Sequence, residues 1–238
     1  MRVTGFLASL LITLPATAAA PAAAGGAEKA TPQSQVRREL EQRRDTFLHR
    51  IAAEGYHPCA APQITLADTP SFGNYRAERN EIVVASWQTL TSEERQDFAQ
   101  MAKQIGGRAT AVSVFEGGTY RWVFMHELGH WWQSCVKQTR PNSYEEENGA
   151  NRIALAFWRE QDPQFAAGIV HGFEALVHAV PSPVPPGSTP QQYLDAHFAE
   201  LAKGDTYTWF QAESIATLAH EEPPPSLHKA LSQPLYPW

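Results

Sequence analysis

The sequence predicts an α+β fold in which a small, mostly antiparallel sheet is followed by a run of helices. Three observations predict it. Between residues 63 and 85, three short segments carry the β-rich, period-two patterning of strands. The flanking stretches show apolar residues at helical spacing behind capping residues. The most apolar of these stretches holds Met125-His126-Glu127-Leu128-Gly129-His130-Trp131, an H-E-x-x-H pentapeptide.

Residues 1–20 read as a cleaved signal peptide. Arg2 supplies the charged start, Gly5 to Leu14 an apolar run too short to span a membrane, and Pro15 to Ala20 the small residues of a cleavage site. An exported protein is expected, periplasmic or secreted, and with no Cys near the cleavage region it has no membrane anchor. Residues 21–32, rich in Ala, Gly and Pro, form a flexible linker. Val36, Leu40, Phe47, Leu48 and Ile51 then set an amphipathic helix from Gln33 to Glu54, ended by Gly55. Gln63–Ala67, Asn74–Ala77 and Glu81–Ala85 are the strands, with Arg79-Asn80 as a turn. Thr91-Ser92-Glu93-Glu94 caps a helix that runs toward Ile105 and stops at Gly106-Gly107.

Gly117-Gly118 is expected to break the chain and Thr119 to cap the next helix, Tyr120 to Val136. After Pro141, Ser143 with Glu146 three residues on reads as a capping box, and Glu145 to Glu147 suit the positive end of a helix. Ala150, Ala154, Phe157 and Trp158 make its apolar stripe. Residues 33–162 form the expected core, and 163–238 a helical C-terminal subdomain packed on it. That subdomain holds a helix over Phe165–Ala179, a Pro-rich loop to Pro190, a helix to Ala202, another from Thr206 to about His220, and a tail. A hydrophobic content of 43% is ample for such a core, and a net charge of -6 gives no reason to invoke nucleic acid.

On a helix, positions i and i+4 lie one above the other, so His126 and His130 can offer two imidazoles to one metal ion. Glu127 is rotated by about a third of a turn, near enough to act on a water held there without being a ligand. That spacing suits one Zn²⁺ per chain with Glu127 as general base. Gly129 costs the helix about 1 kcal/mol relative to Ala, which is explained if another backbone or a ligand approaches between the two His residues.

The two motifs together resemble the gluzincins, the thermolysin-like zinc metallopeptidases, and most of all their minimal single-domain members. In that family H-E-x-x-H is followed by a helix carrying E-x-x-x-D or E-x-x-A-N, whose Glu is the third zinc ligand. Glu147-Asn148-Gly149-Ala150-Asn151 matches the second form. The resemblance assigns the third ligand to Glu147 and makes Asn151 the acceptor of an imidazole N–H from His126. Glu146 is the rival ligand, but it lacks a polar partner at i+4. The resemblance further implies a zincin-like core over residues 33–162 and hydrolysis of a peptide or protein substrate by zinc-activated water. An edge strand would receive the substrate, here expected to be Glu81–Ala85. The family draws its oxyanion donor from a downstream Tyr or His; Tyr207 and His171 are the candidates, with Tyr144 and His178 behind them. Trp131 and Trp132 are read as packing residues.

Export makes a Cys59–Cys135 disulfide the expected state of the two cysteines, since Cys135 lies five residues past His130 and faces away from the metal side. Two readings of another class fit the same residues. One is a non-catalytic zincin-fold secreted binding protein. The other is a structural envelope protein whose H-E-x-x-H is accidental, which predicts less than one zinc per chain.

Overall fold

A computed structural model describes residues 30–201 and 205–237. The signal peptide expected over 1–20 and all but the end of the linker at 21–32 lie outside the described residues. Helix α1 (Gln33–Ala53) buries Val36, Leu40, Phe47 and Ile51, the stripe its spacing requires. Gly55, at φ +87°, follows its end.

Strands β1 (Gln63–Leu66), β2 (Gly73–Arg76) and β3 (Glu81–Val84) form one sheet in the order β1-β3-β2. Asn80, left-handed at φ 47°, turns the chain between β2 and β3. The β2–β3 pairing is antiparallel but β1 runs parallel to β3, so the sheet is mixed rather than mostly antiparallel. The expectation that Glu81–Ala85 receives a substrate strand is also overturned. β3 is the central strand, with both of its edges paired. Its own residues give the physical reason: Ile82, Val83, Val84 and Ala85 are all buried, and a continuous apolar run belongs to a strand covered on both faces. β1 and β2 each bury a single residue.

Helix α2 (Ser92–Ile105) starts at a full capping box between Thr91 and Glu94 and ends at Gly106. The next helical stretch differs from expectation. Helix α3 (Ala111–Glu116), capped by Thr110, passes through a π-helical segment (Gly117–Val123) directly into α4 (Phe124–Cys135). Gly117 is helical, with φ -63° and ψ -49°, so the Gly pair does not break the chain and Thr119 is not a cap. Val114 and Phe115 before the pair and Tyr120 and Trp122 after it are buried in the same core. Packing on both sides holds a helical path that local propensity does not favour, and the π-turn takes up the misfit.

Helix α5 (Tyr144–Gln161) is capped by Ser143, whose hydroxyl accepts the Glu146 N–H at 3.2 Å. α4 and α5 cross at Gly129, where an added Cβ would lie 2.9 Å from Ala150 Cα. The approaching backbone that this glycine called for is therefore α5. Asp162 then caps α6 (Pro163–Ala179), followed by α7 (Pro190–Leu201) and α8 (Asp205–Ala219). Beyond the Pro run comes α9 (Leu227–Ser232), where only a tail was expected. The larger of two buried apolar clusters among the described residues extends from Val36 in α1 to Leu231 in α9, and so includes residues of both 33–162 and 163–238. Cys59 and Cys135 form a disulfide that fastens the loop before β1 to the end of α4. Among the described residues no helix is long and apolar enough to cross a membrane.

Substituting Gly129→Ala should destabilise the protein by about 1–2 kcal/mol net. Overpacking against α5 outweighs the ~1 kcal/mol that Ala gains in a helix. Urea unfolding checks this, and an unchanged or higher stability would mean that α5 can move aside.

Candidate metal centre

α4 turns His126 and His130 to one side, and α5 brings Glu147 against both. The two Nε2 atoms are 3.0 Å apart, and Glu147 Oε2 lies 3.2 Å from that of His126 and 3.6 Å from that of His130. Among the described residues, these three side chains form the group of His, Cys, Asp and Glu able to hold a metal ion, their ligand atoms all within 4.8 Å of one another. Glu146 supplies a backbone carbonyl nearby rather than a ligand oxygen.

The surrounding amides decide where the imidazole protons are. Gln211 Nε2 donates to Glu147 Oε2 at 2.9 Å, and a carboxylate can only accept. Gln211 Oε1 is thereby turned to accept from Asn151 Nδ2 at 2.7 Å. Ser214 Oγ also accepts from Asn151 Nδ2, at 3.2 Å, while giving its own proton to Asn148 Oδ1. Asn151 is left with Oδ1 toward His126, whose Nδ1–H donates to it at 2.8 Å.

A second chain fixes His130. Gln133 Nε2 gives both hydrogens to carbonyls, Glu146 O and Pro234 O, each at 2.7 Å. Gln133 Oε1 therefore faces His130 and accepts its Nδ1–H at 2.9 Å. With Nδ1 donating in this way, a neutral ring leaves its Nε2 bare. Two lone pairs and a carboxylate oxygen would then converge, an arrangement that a cation, metal ion or proton, relieves.

Electrostatics agree. Burial alone would lower His130, but the charge and hydrogen bond of Glu147, with the charges of Glu127 and Glu146 behind them, outweigh it and push the imidazole up to about 10. Burial likewise opposes ionisation of Glu147, yet the charge of His130 and hydrogen bonds from both rings hold its carboxyl well below the ordinary range. Without metal, a proton on His130 is the cation.

Glu127 is 8% exposed and does not ligate with this group; its Oε2 accepts the backbone N–H of Tyr75 in β2 at 2.7 Å. Tyr207, on α8, is brought to the centre. Burial, and then the charges of the neighbouring Glu147 and Glu127, raise its phenol well above the ordinary value. His171 is not brought there. It is exposed on α6, in a surface groove with Glu174 and His220, because α6 buries its opposite face through Phe165, Ile169 and Phe173. His178 is exposed on the same helix. Tyr144 is buried with Leu194, Trp209 and Phe210, its hydroxyl beside Ser214. Trp131 and Trp132 are buried in the main core, as read.

Three supporting residues escaped the sequence reading. Gln133 stands at i+3 from His130, and that spacing was a usable signal. Gln211 and Ser214 stand at i+4 and i+7 from Tyr207 on one face of α8, but nothing local ties that face to a centre some 60 residues earlier. Comparison with protein-family models, with curated proteins and with solved structures finds no match to this chain.

A metal ion bound here would have to expel the His130 proton. Apparent metal affinity should accordingly rise about tenfold per pH unit between pH 7 and 8. Chelator competition measures it, and a flat profile would remove the proton from the site. In the metal-free protein, the raised His130 contributes stability that is complete below 6.5 and lost as pH climbs through about 10. The lowered Glu147 contributes above 4.5 and is lost as pH falls through its depressed value. The melting temperature should therefore decline from pH 6.5 upward.

Proposed function

We propose that this chain is a zinc-dependent metallopeptidase that hydrolyses peptide bonds in a peptide or protein substrate. The observation that carries the reading is the convergence of two bare imidazole nitrogens and a carboxylate beside a fourth group, Glu127, that holds no ligand position. Two imidazoles and a carboxylate, without thiolate, form a donor set suited to catalytic rather than structural zinc. Bound there, zinc supplies a Lewis acid that acidifies water and polarises a carbonyl. His126, His130 and Glu147 would hold it, each oriented by a side-chain amide, Asn151, Gln133 and Gln211 in turn.

Glu127 acts as the general base. Its Oε2 is anchored by Tyr75 N–H, so the carboxylate is held in one rotamer with Oε1 left to take the proton of the attacking water and pass it to the leaving amine. Tyr207, kept protonated by burial and two carboxylates, donates to the oxygen on which negative charge develops. Export to the periplasm or the medium completes the reading, supported by the N-terminal sequence and by a disulfide suited to an oxidising compartment.

Elemental analysis of the purified chain should return about one zinc per protein, absent from His126→Ala and Glu147→Ala. The same donor set serves ferrous iron, which the measurement would reveal. Glu127→Gln should keep its zinc and lose about 10²–10⁴ in kcat on a peptide library hit. Wild-type turnover by that variant would falsify the general-base role. Tyr207→Phe should lower kcat by about 10²–10³ with little change in KM, and an effect confined to KM would move Tyr207 from the reaction to substrate binding.

A further inference from the structure

The C-terminal segment after α9 does not trail into solvent. It lies across the N-terminal half of α5, and one of its carbonyls enters the support of the candidate metal centre. Pro234 O accepts from Gln133 Nε2 at 2.7 Å, and the same amide orients His130. Tyr236 is fastened on both sides of its peptide: its N–H donates to Glu145 O at 3.2 Å and its carbonyl accepts from Asn148 Nδ2 at 3.2 Å. Its ring stacks on the buried guanidinium of Arg152, 3.8 Å from Cζ to centroid. The fit is close, since a Cβ at Gly149 would stand 1.9 Å from Pro234 O.

We propose that residues 233–237 are a strap that positions His130 through Gln133, so that the metal centre is complete only when the C-terminal segment is docked. The proposal rests on the metal-centre reading above. Gln133 is fully buried, so each N–H that lacks a protein partner is left unsatisfied. With Pro234 in place both hydrogens are answered, and the amide cannot turn without breaking two bonds. Without it only Glu146 O holds the amide, and the oxygen that fixes the His130 ring loses half of its restraint. His126 is tied to the strap less directly. Asn151 orients it and is itself held by Gln211, and the strap reaches that support only through Asn148, which donates to Tyr236 O and accepts from Ser214.

Two full-length variants test the strap without altering a ligand. Gly149→Ala displaces Pro234 but also crowds Gln133 Nε2, which an added Cβ would meet at 2.9 Å. Tyr236→Ala removes the stacking that holds the segment down without touching Gln133, and so isolates the strap. Supporting side chains of this kind set metal affinity by about 10–100-fold, and both variants should bind zinc at least about tenfold more weakly than wild type in chelator competition. In the zinc-loaded protein, the Nδ1–H proton resonance of His130 should broaden by exchange more than that of His126, which the strap reaches only through Asn148. Mere loss of stability would not produce that selectivity. If Gly149→Ala does not fold, Tyr236→Ala carries the test alone. Affinity within twofold of wild type, or equal broadening of both ring protons, overturns the strap. A wild-type chain that takes up no metal overturns the metal centre itself, a distinct result.

Discussion

Three electron-rich atoms share one small volume in this protein, and the rest of the structure exists to keep them there. Bare imidazole nitrogens 3.0 Å apart, with a carboxylate oxygen against both, repel one another unless a positive charge sits among them. The opposing force is packing. α4 and α5 meet at a crossing where only a glycine fits, and Leu128, Ile153, Ala154 and Phe157 are buried around it. The apolar core thus holds an electrostatically unfavourable cluster at fixed geometry, and a cation relieves it.

The two histidines of the candidate centre are supported in different ways. His126 belongs to a closed ring in which Asn151 leads to Gln211 and Gln211 returns to Glu147, so two ligands share one chain of amides. His130 is supported by Gln133, whose other contacts are backbone carbonyls. Both supports are neutral, which leaves the imidazoles less basic than carboxylate partners would. Affinity must then come from preorganisation, and the dense satisfaction of each amide is what supplies it.

What could be read in the sequence was local. The helix starts at Thr91 and Ser143, the stripe of α1, the three strands and the i, i+4 relation of the ligands follow from neighbours a few residues apart, and each appears within a residue or two. Gly117-Gly118 misled because a propensity that favours a break was overridden by Tyr120 and Trp122, whose burial depends on distant partners. Strand order is non-local too, although the unbroken run Ile82-Val83-Val84-Ala85 marked β3 as a doubly covered strand. The amides of α8 were beyond reach for the same reason: Gln211 matters because of a contact to Asn151 across 60 residues, and a glutamine in a helix has no signature of its own.

The position of the sheet gives Glu127 its constraint. β3 is central, so the strand that borders the active helix is β2, and its Tyr75 N–H points away from β3 to meet the Glu127 carboxylate. Such an N–H is ordinarily what an edge strand offers to an added strand. Here it is used inside the protein. The bond orders the carboxylate and leaves one oxygen unconstrained by it, which is the condition a general base needs: a fixed direction together with a free lone pair. It also means that a peptide laid beside β2 finds the Tyr75 position already occupied and must align on the backbone groups to either side. Glu127, the proposed base, and the strand that borders it are therefore parts of one hydrogen-bonded unit, and a shift of β2 would move the carboxylate with it.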